Sequence, residues 1–309
     1  MPKFFIQHIT QYQYQQYAQY SANRILLYPL QDAFQEVLFH ELKVTANPQI
    51  SLHKDYYGND VGTFTLVEPH LTLTIDSSLE VQTHRRPDPI DHLAALEQWS
   101  QLLNADMAFR FNEFLQTDLF GSRDDVLELF QQQMDTTRTP LEMTKRFTKF
   151  IYEEFAYVKG ITTVDSTLEE IWQHKSGVCQ DFAHMLLAFL RMAGIPARYV
   201  SGYICPHQNG MRGEGATHAW VEVYIPENGW IGVDPTNNCI VNDTHVRLAV
   251  GRHFNDCSPV KGTYRGGAEH HLHVGVTVSY EDGLNMQGEA DVDFVSDRQR
   301  EQQFAQSQQ

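Results

Sequence analysis

The chain has 309 residues, 42% of them hydrophobic, and a formal net charge of −16. It is long enough for one large or two moderate domains with a sizeable core. The acidic balance and the lack of any basic run argue against a nucleic-acid partner. No stretch approaches the roughly 18 apolar residues of a membrane span, so no membrane partner is expected. Met1 to His8 lacks a continuous apolar h-region and a small-residue cleavage site. The four cysteines, Cys179, Cys205, Cys239 and Cys257, are too few and too irregularly spaced for a disulfide framework. They fit a cytoplasmic protein, in which a free thiol stays reactive.

Residues 1–84 read as strands. Val37 and Phe39 alternate against Leu38, His40, Leu42 and Val44; Leu71, Leu73 and Ile75 alternate with Thr72 and Thr74, and Leu79 and Val81 follow. Asn47-Pro48 and Tyr57-Gly58-Asn59-Asp60 are turn signals. Nothing here has catalytic spacing, so the expectation is an antiparallel β domain that packs on or shields the rest of the chain. His8, Asp55 and His70 are structural or surface residues on this reading. Arg85-Arg86-Pro87-Asp88-Pro89 reads as a linker, since two prolines so close suit neither a helix nor a central strand. Helical patterns come next at Leu93, Leu96, Trp99 and Leu103, then at Val126, Leu129 and Phe130. Thr139-Pro140-Leu141-Glu142 is a capping box with proline at N1, and it opens a helix burying Met143, Phe147, Phe150, Ile151 and Phe155. Ser166-Thr167-Leu168-Glu169 opens a shorter helix through Ile171 and Trp172.

The stretch Gly177 to His184 puts a cysteine in the first turn of a buried helix. Phe182, Met185, Leu186, Phe189, Leu190 and Ala193 recur at helical spacing, with Gly194 and Pro196 as stop signals. Ser176 is the candidate N-cap, and Gly177 lets the backbone bend into the first turn. Cys179 then sits at the positive end of the helix dipole, which favours thiolate over thiol. About forty residues on, Thr217 to Ile225 and Trp230 to Asp234 read as two strands joined by Pro226-Glu227-Asn228-Gly229. Ala219, Val221, Val223, Ile225, Ile231 and Val233 share the core face, so His218 and Asp234 share the other. A carboxylate accepting from one ring nitrogen leaves the other for a thiol. Cys179, His218 and Asp234 therefore form a candidate triad.

The remaining features read as support. Cys205 to Ala216 is a glycine-rich loop expected to line a cleft, with Arg212 as a candidate substrate contact. Thr236-Asn237-Asn238 is expected to hold the strand end through side-chain-to-backbone bonds. His184 is a packing residue, and Cys205, Cys239 and Cys257 are structural. His270, His271 and His273 lack the further ligands of a zinc site, so no metal and no cofactor is expected. Glu269 to Tyr280 alternates as a late strand, and the acidic, glutamine-rich stretch 281–309 reads as a loosely attached tail.

The runs GVCQDFAHMLLAFLRMAGIPARYVSGY (177–203) and THAWVEVYIPENGWIGVDPTNN (217–238) resemble the bacterial transglutaminase-like superfamily, whose members are often described as cysteine proteases. The resemblance extends upstream over the β-rich first eighty or so residues and downstream over Gly251 to Pro259. It implies an α+β protein: an antiparallel β domain at 1–84, a linker at 85–89, and a papain-like or transglutaminase-like catalytic domain at 90–280. In that domain a helix bearing the cysteine packs on an antiparallel sheet. It implies Cys179 as nucleophile, His218 as base and Asp234 as orienting acid, acting on a peptide, protein or small amide through a thioester. Gln173 and Gln180 are both open as oxyanion donors beside the Cys179 backbone N–H. Hydrolysis is the favoured outcome, because no second amine-binding site can be read. Amine acyl transfer, a non-catalytic scaffold and a histidine-based metal hydrolase are the alternatives.

Overall fold

The computed structural model describes every residue except 119–122, 163–165, 206–210, 214–216, 267–268, 282–283 and 295–309. The chain opens with six strands: β1 (Lys3–Ala18), β2 (Tyr20–Ile25), β3 (Gln35–Val44), β4 (Ser51–Lys54), β5 (Asp60–Leu66) and β6 (His70–Thr83). Five helices come after them: α1 (Ala95–Leu102), α2 (Ala105–Arg110), α3 (Asn112–Leu115), α4 (Arg123–Gln133) and α5 (Pro140–Glu154). Then β7 (Ala156–Tyr157), α6 (Leu168–His174) and β8 (Ser176–Gly177) lead into α7 (Cys179–Met192). Five strands come next: β9 (Ala197–Ile204), β10 (Thr217–Ile225), β11 (Gly229–Asp234), β12 (Cys239–Ile240) and β13 (His245–Gly251). Helix α8 (Phe254–Cys257) precedes β14 (Val260–Arg265), β15 (His270–Tyr280) and β16 (Asn285–Phe294). Among the described residues no helix is long and apolar enough to cross a membrane.

The chain forms two compact units, one of Met1–Thr83 with the chain from Ser258 onward, the other of His84–Cys257. In the first, β16-β15-β1-β6-β3 make one antiparallel sheet and β14-β2-β5-β4 a second. Alternation along β1 and β6 buries Phe4, Ile6, Leu73, Ile75, Leu79 and Val81. His8 lies in this interior with Thr10 Oγ1 3.3 Å from its Nε2, and burial pushes its pKa down to about 4. The boundaries differ from the expected ones. Strands β14 and β15, expected in the catalytic domain, pair instead with β2 and β1, with Val260 opposite Ile25 and Tyr280 opposite Phe4. The stretch expected to be a loose tail contributes β16, which pairs along β15. The 85–89 segment belongs to the second unit, where Asn242 Oδ1 accepts from the Arg86 N–H at 3.0 Å.

The second unit is built on the antiparallel sheet β12-β11-β10-β9-β13, against whose strands β9 and β10 helix α7 packs. The Thr139 box forms as expected: Thr139 Oγ1 accepts from the Glu142 N–H at 3.1 Å, and Glu142 Oε2 from the Thr139 N–H at 3.0 Å. The next box slides by one residue to Thr167 and Glu170, because Leu168 rather than Thr167 begins α6. On α1, Trp99 and Leu102 are buried, whereas Leu96 and Leu103 face solvent and Gln98 takes an interior place, bonded to Asp91 and the Leu93 carbonyl.

Helix α7 is buried nearly all round: Ala183, Leu187 and Ala188 join the expected stripe, the mark of a helix inside a core rather than on its edge. Gly194, at φ 75°, ends it in a Schellman turn, with N–H bonds from Ile195 to the Leu190 carbonyl (2.9 Å) and from Gly194 to the Arg191 carbonyl (3.0 Å). Phe189 on this helix is the hub of an aromatic cluster, 5.7 Å from Phe147, 5.9 Å from Phe150 and 6.3 Å from Trp172 between ring centroids. Phe189→Ala is expected to destabilise the protein by about 3–5 kcal/mol. Urea unfolding should read this as a lower midpoint with little change in slope.

Candidate active site

The first turn of α7 is shaped by the sequence around Cys179. Asp181 Oδ2 accepts from the Val178 N–H at 2.7 Å and from the Thr162 hydroxyl at 2.6 Å. It thereby satisfies a backbone donor at the helix start, with an acidic group where the dipole favours one. Ser176 does not cap the helix; it lies in β8, two residues before the N-cap Val178. Gly177 serves a purpose other than the expected bend: a Cβ there would run into the Asp181 carboxyl. Cys179 is left as the first helical residue, a free and half-buried thiol.

The candidate base comes from the sheet. Strands β10 and β11 pair with Val221 opposite Val233, so His218, Trp220 and Asp234 fall on one face, as the alternation requires. Both faces of β10 are buried, with Ala219, Val221 and Val223 on one and His218, Trp220 and Glu222 on the other. His218 Nε2 donates to Asp234 Oδ2 at 2.9 Å, between side chains that are each 0% exposed. Burial alone would push the His218 pKa down. The charges of Asp234 and Cys179 and the hydrogen bond to Asp234 outweigh it and raise the pKa to about 10. Nδ1 is the nitrogen left for Cys179. It makes no hydrogen bond of good geometry among the described residues, so the thiol lies beside the ring without being fully aligned on it, as is common in a site without substrate.

Asp234 is saturated with donors. Oδ1 accepts from the N–H groups of Thr236 (2.8 Å) and Asn237 (3.3 Å). Oδ2 accepts from His218, from Asn237 Nδ2 (2.7 Å) and from His245 Nε2 (3.3 Å). Burial would raise its pKa, but the two imidazoles hold it well below the usual carboxylate range. The expected roles around Thr236-Asn237-Asn238 are thus partly reversed: the Asp234 carboxylate holds the following turn. The Asn237 side chain reaches on to Arg212, accepting from its N–H at 2.7 Å and donating to its carbonyl at 3.2 Å.

That clamp brings Arg212 and Gly213 to the site. Gly213, at φ +84°, passes so close that a Cβ there would lie 3.0 Å from His218 Nδ1 and 3.5 Å from the Tyr157 hydroxyl. Only glycine suits both the backbone angle and the space. The Arg212 guanidinium stands 4.2 Å over the Tyr152 ring; the rest of the loop, apart from Cys205 and Met211, lies outside the described residues. Tyr157 reaches the site because β7 runs parallel to β8, Tyr157 opposite Gly177. Its hydroxyl pKa is raised by burial first and then by the neighbouring charges of Cys179, Asp234 and Asp181, so it stays a proton donor.

The other candidates fall outside the chemistry. Gln173 is bound to Glu169 on the exposed side of α6. His184 Nε2 accepts from the Phe254 N–H at 3.2 Å, and burial pushes its pKa down to about 4. Cys205 and Cys257 are buried. Cys239 pairs in register with Asp234, and burial and that carboxylate raise its pKa to about 12. His270 contacts the Tyr264 hydroxyl at 3.2 Å. Sequence reasoning does not single out His245, Asn237 or Tyr157 for these contacts. His218, Asp234 and His245 offer ligand atoms within 4.8 Å of one another. Both imidazoles place Nε2 at hydrogen-bond distance from the Asp234 carboxylate, 2.9 and 3.3 Å.

The chain matches the model of the transglutaminase-like superfamily over residues 128–235. It matches that of the bacterial transglutaminase-like N-terminal region over residues 4–82. It is 30% identical over 275 residues to an uncharacterized protein of Mycobacterium leprae, covering 88% of this chain and 96% of that one. A protein-glutamine gamma-glutamyltransferase of Pseudomonas aeruginosa is 39% identical over 95 residues, 28% of this chain and 14% of that protein. Among solved structures, a putative cysteine protease from Cytophaga hutchinsonii shares the fold with a TM-score of 0.69 at 20% identity, over 94% of this chain and 98% of that one.

The His218 shift sets a pH dependence. A group whose pKa rises from 6.5 to about 10 on folding contributes stability that is full below 6.5 and is lost as pH climbs toward 10. The difference in urea stability between the protein and its His218→Gln variant should therefore shrink between pH 6.5 and 10. Because other basic-range titrations are common to both proteins, the difference isolates this imidazole.

Proposed function

The chain belongs to the transglutaminase-like superfamily, and from that premise we propose that it performs thiol-dependent acyl chemistry on an amide or peptide bond. Cys179 is the nucleophile, His218 the base and Asp234 the group that orients the base. The observation that carries this reading is the arrangement around His218. One ring nitrogen is bound to a buried carboxylate at 2.9 Å, and the Cys179 side chain is the other group that raises the pKa of the ring. The thiol proton resides on His218 as a thiolate–imidazolium pair, and the sulfur attacks the amide carbonyl. The imidazolium then gives that proton to the departing amine as the C–N bond breaks, leaving a thioester. The Cys179 backbone N–H at the helix start and the Tyr157 hydroxyl are the donors we assign to the oxyanion.

Hydrolysis of the thioester is the reading we favour, which makes the protein a cysteine peptidase or amidase. Transfer to an amine is the second reading, supported by the partial match to the Pseudomonas glutamyltransferase. Incubation with a peptide library, with and without an added primary amine, and readout by mass spectrometry separates the two. The expected result is cleaved peptides whose amount the amine does not change; amine-linked products would favour transfer. Cys179→Ala should abolish either product, and Tyr157→Phe should lower kcat about 100-fold with little change in KM. Turnover that survives Cys179→Ala would refute the assignment.

A further inference from the structure

Two imidazoles, not one, meet the buried carboxylate. His245, the first residue of β13, aims Nε2 at the same Asp234 oxygen that His218 contacts, at 3.3 Å against 2.9 Å. We propose that His245 is a positioning residue, a neutral Nε2–H donor that pins Asp234 Oδ2 and so holds the His218 imidazolium at Cys179. This role rests on Cys179, His218 and Asp234 acting as the triad proposed for the chain.

The surroundings of His245 separate its role from that of His218. The Thr244 hydroxyl lies 3.0 Å from His245 Nδ1, which occupies the nitrogen that in His218 is left for the thiol. With a hydroxyl donating to Nδ1, the proton of a neutral ring resides on Nε2, the atom facing Asp234. The ring is also fixed by packing. Its centroid is 5.1 Å from Trp220 in an edge contact, and Trp220 stacks against His218 at 6.2 Å and 28°. His245 therefore bears on the base twice, through the shared oxygen and through the indole that both rings contact.

Charge balance points the same way. The titratable groups facing His245 are Asp234 on β11 and His218 on β10, whose ring centroid is 6.0 Å away. Beyond Asp234 lie Cys239 on β12 and Tyr157 on β7, both kept protonated mainly by burial. One carboxylate in a buried site balances one imidazolium. Burial first, and then the neighbouring His218, push the His245 pKa down against the pull of Asp234, so the charge stays on His218. His245 supplies a dipole and moves no proton.

The test uses the full chain labelled with 15N-histidine, with spectra assigned by comparison with His245→Gln and His218→Gln. In the wild type, His245 should show the neutral Nε2–H pattern from pH 7 to 9, while His218 stays an imidazolium to near pH 10. His245→Leu should lower the His218 midpoint by about one pH unit and slow iodoacetamide alkylation of Cys179 at pH 7 about tenfold. His245→Gln, which keeps an N–H within reach of Oδ2, should retain both values within about twofold. A purely space-filling role would leave Gln and Leu equally impaired. An unchanged His218 titration in His245→Leu would overturn the proposal. So would a wild-type His245 that is an imidazolium or Nδ1–H tautomer, or Leu and Gln behaving alike. If the Leu variant fails to fold, the wild-type tautomer and the Gln variant decide. If wild-type Cys179 alkylates no faster than the other cysteines, the functional reading fails, while the His245–His218 coupling is still read from the nitrogen spectra.

Discussion

The site depends on keeping one fully buried carboxylate charged. Moving an ionised carboxyl into a protein interior costs several kcal/mol unless its oxygens are fully bonded. Asp234 meets that condition with five donors drawn from His218, His245, Thr236 and both nitrogens of Asn237. The requirement runs both ways. The carboxylate stays ionised because these groups converge on it, and β10, β13 and the turn after β11 are fixed relative to one another because each must satisfy it. Through Asn237 the same charge also holds Arg212, and with it the glycine that skirts His218.

The sulfur is placed by a different device. Helix α7 starts where Asp181 reaches back past Gly177, and it ends in a glycine turn beside Arg191, whose guanidinium bonds the Ala197 and Arg252 carbonyls. With almost every face buried, the helix cannot slide or rotate without opening the core. The sheet side is equally rigid. Glu222, four residues along β10 from His218, is buried between Arg198 of β9 (2.8 Å) and Arg247 of β13 (3.5 Å). Two stiff elements thus present a thiol and an imidazole to each other at little further entropic cost, which is the precondition for an activated nucleophile.

Much of this was legible in the chain itself. The proline-led capping box at Thr139, the glycine after α7 and the odd–even parity of the hairpin are local signals, and local signals decide local structure. The parity alone puts His218 and Asp234 on one face. What stayed hidden needed long-range pairing. His245 sits in HVRLAVG, a strand buried along its whole length, where a histidine at the first position carries no mark of the carboxylate it will meet. Tyr157 enters through a two-residue parallel pairing too short to show periodicity. The late strand at 270–280 was visible as a strand, but one of its partners is β1, at the other end of the chain, and alternation says nothing about partners. Leu96 and Leu103 fit a helical stripe yet face solvent, because a short helix with one contact face buries only Gln98, Trp99 and Leu102.

The central claim is that the charge on Asp234, relayed through His218, makes Cys179 the reactive thiol. Competitive iodoacetamide labelling of all four cysteines at neutral pH, quantified by mass spectrometry in the wild type and in Asp234→Asn, tests it most directly. The account predicts that Cys179 labels first in the wild type and loses most of that advantage in the variant. Equal labelling of Cys179 in the two proteins would contradict it.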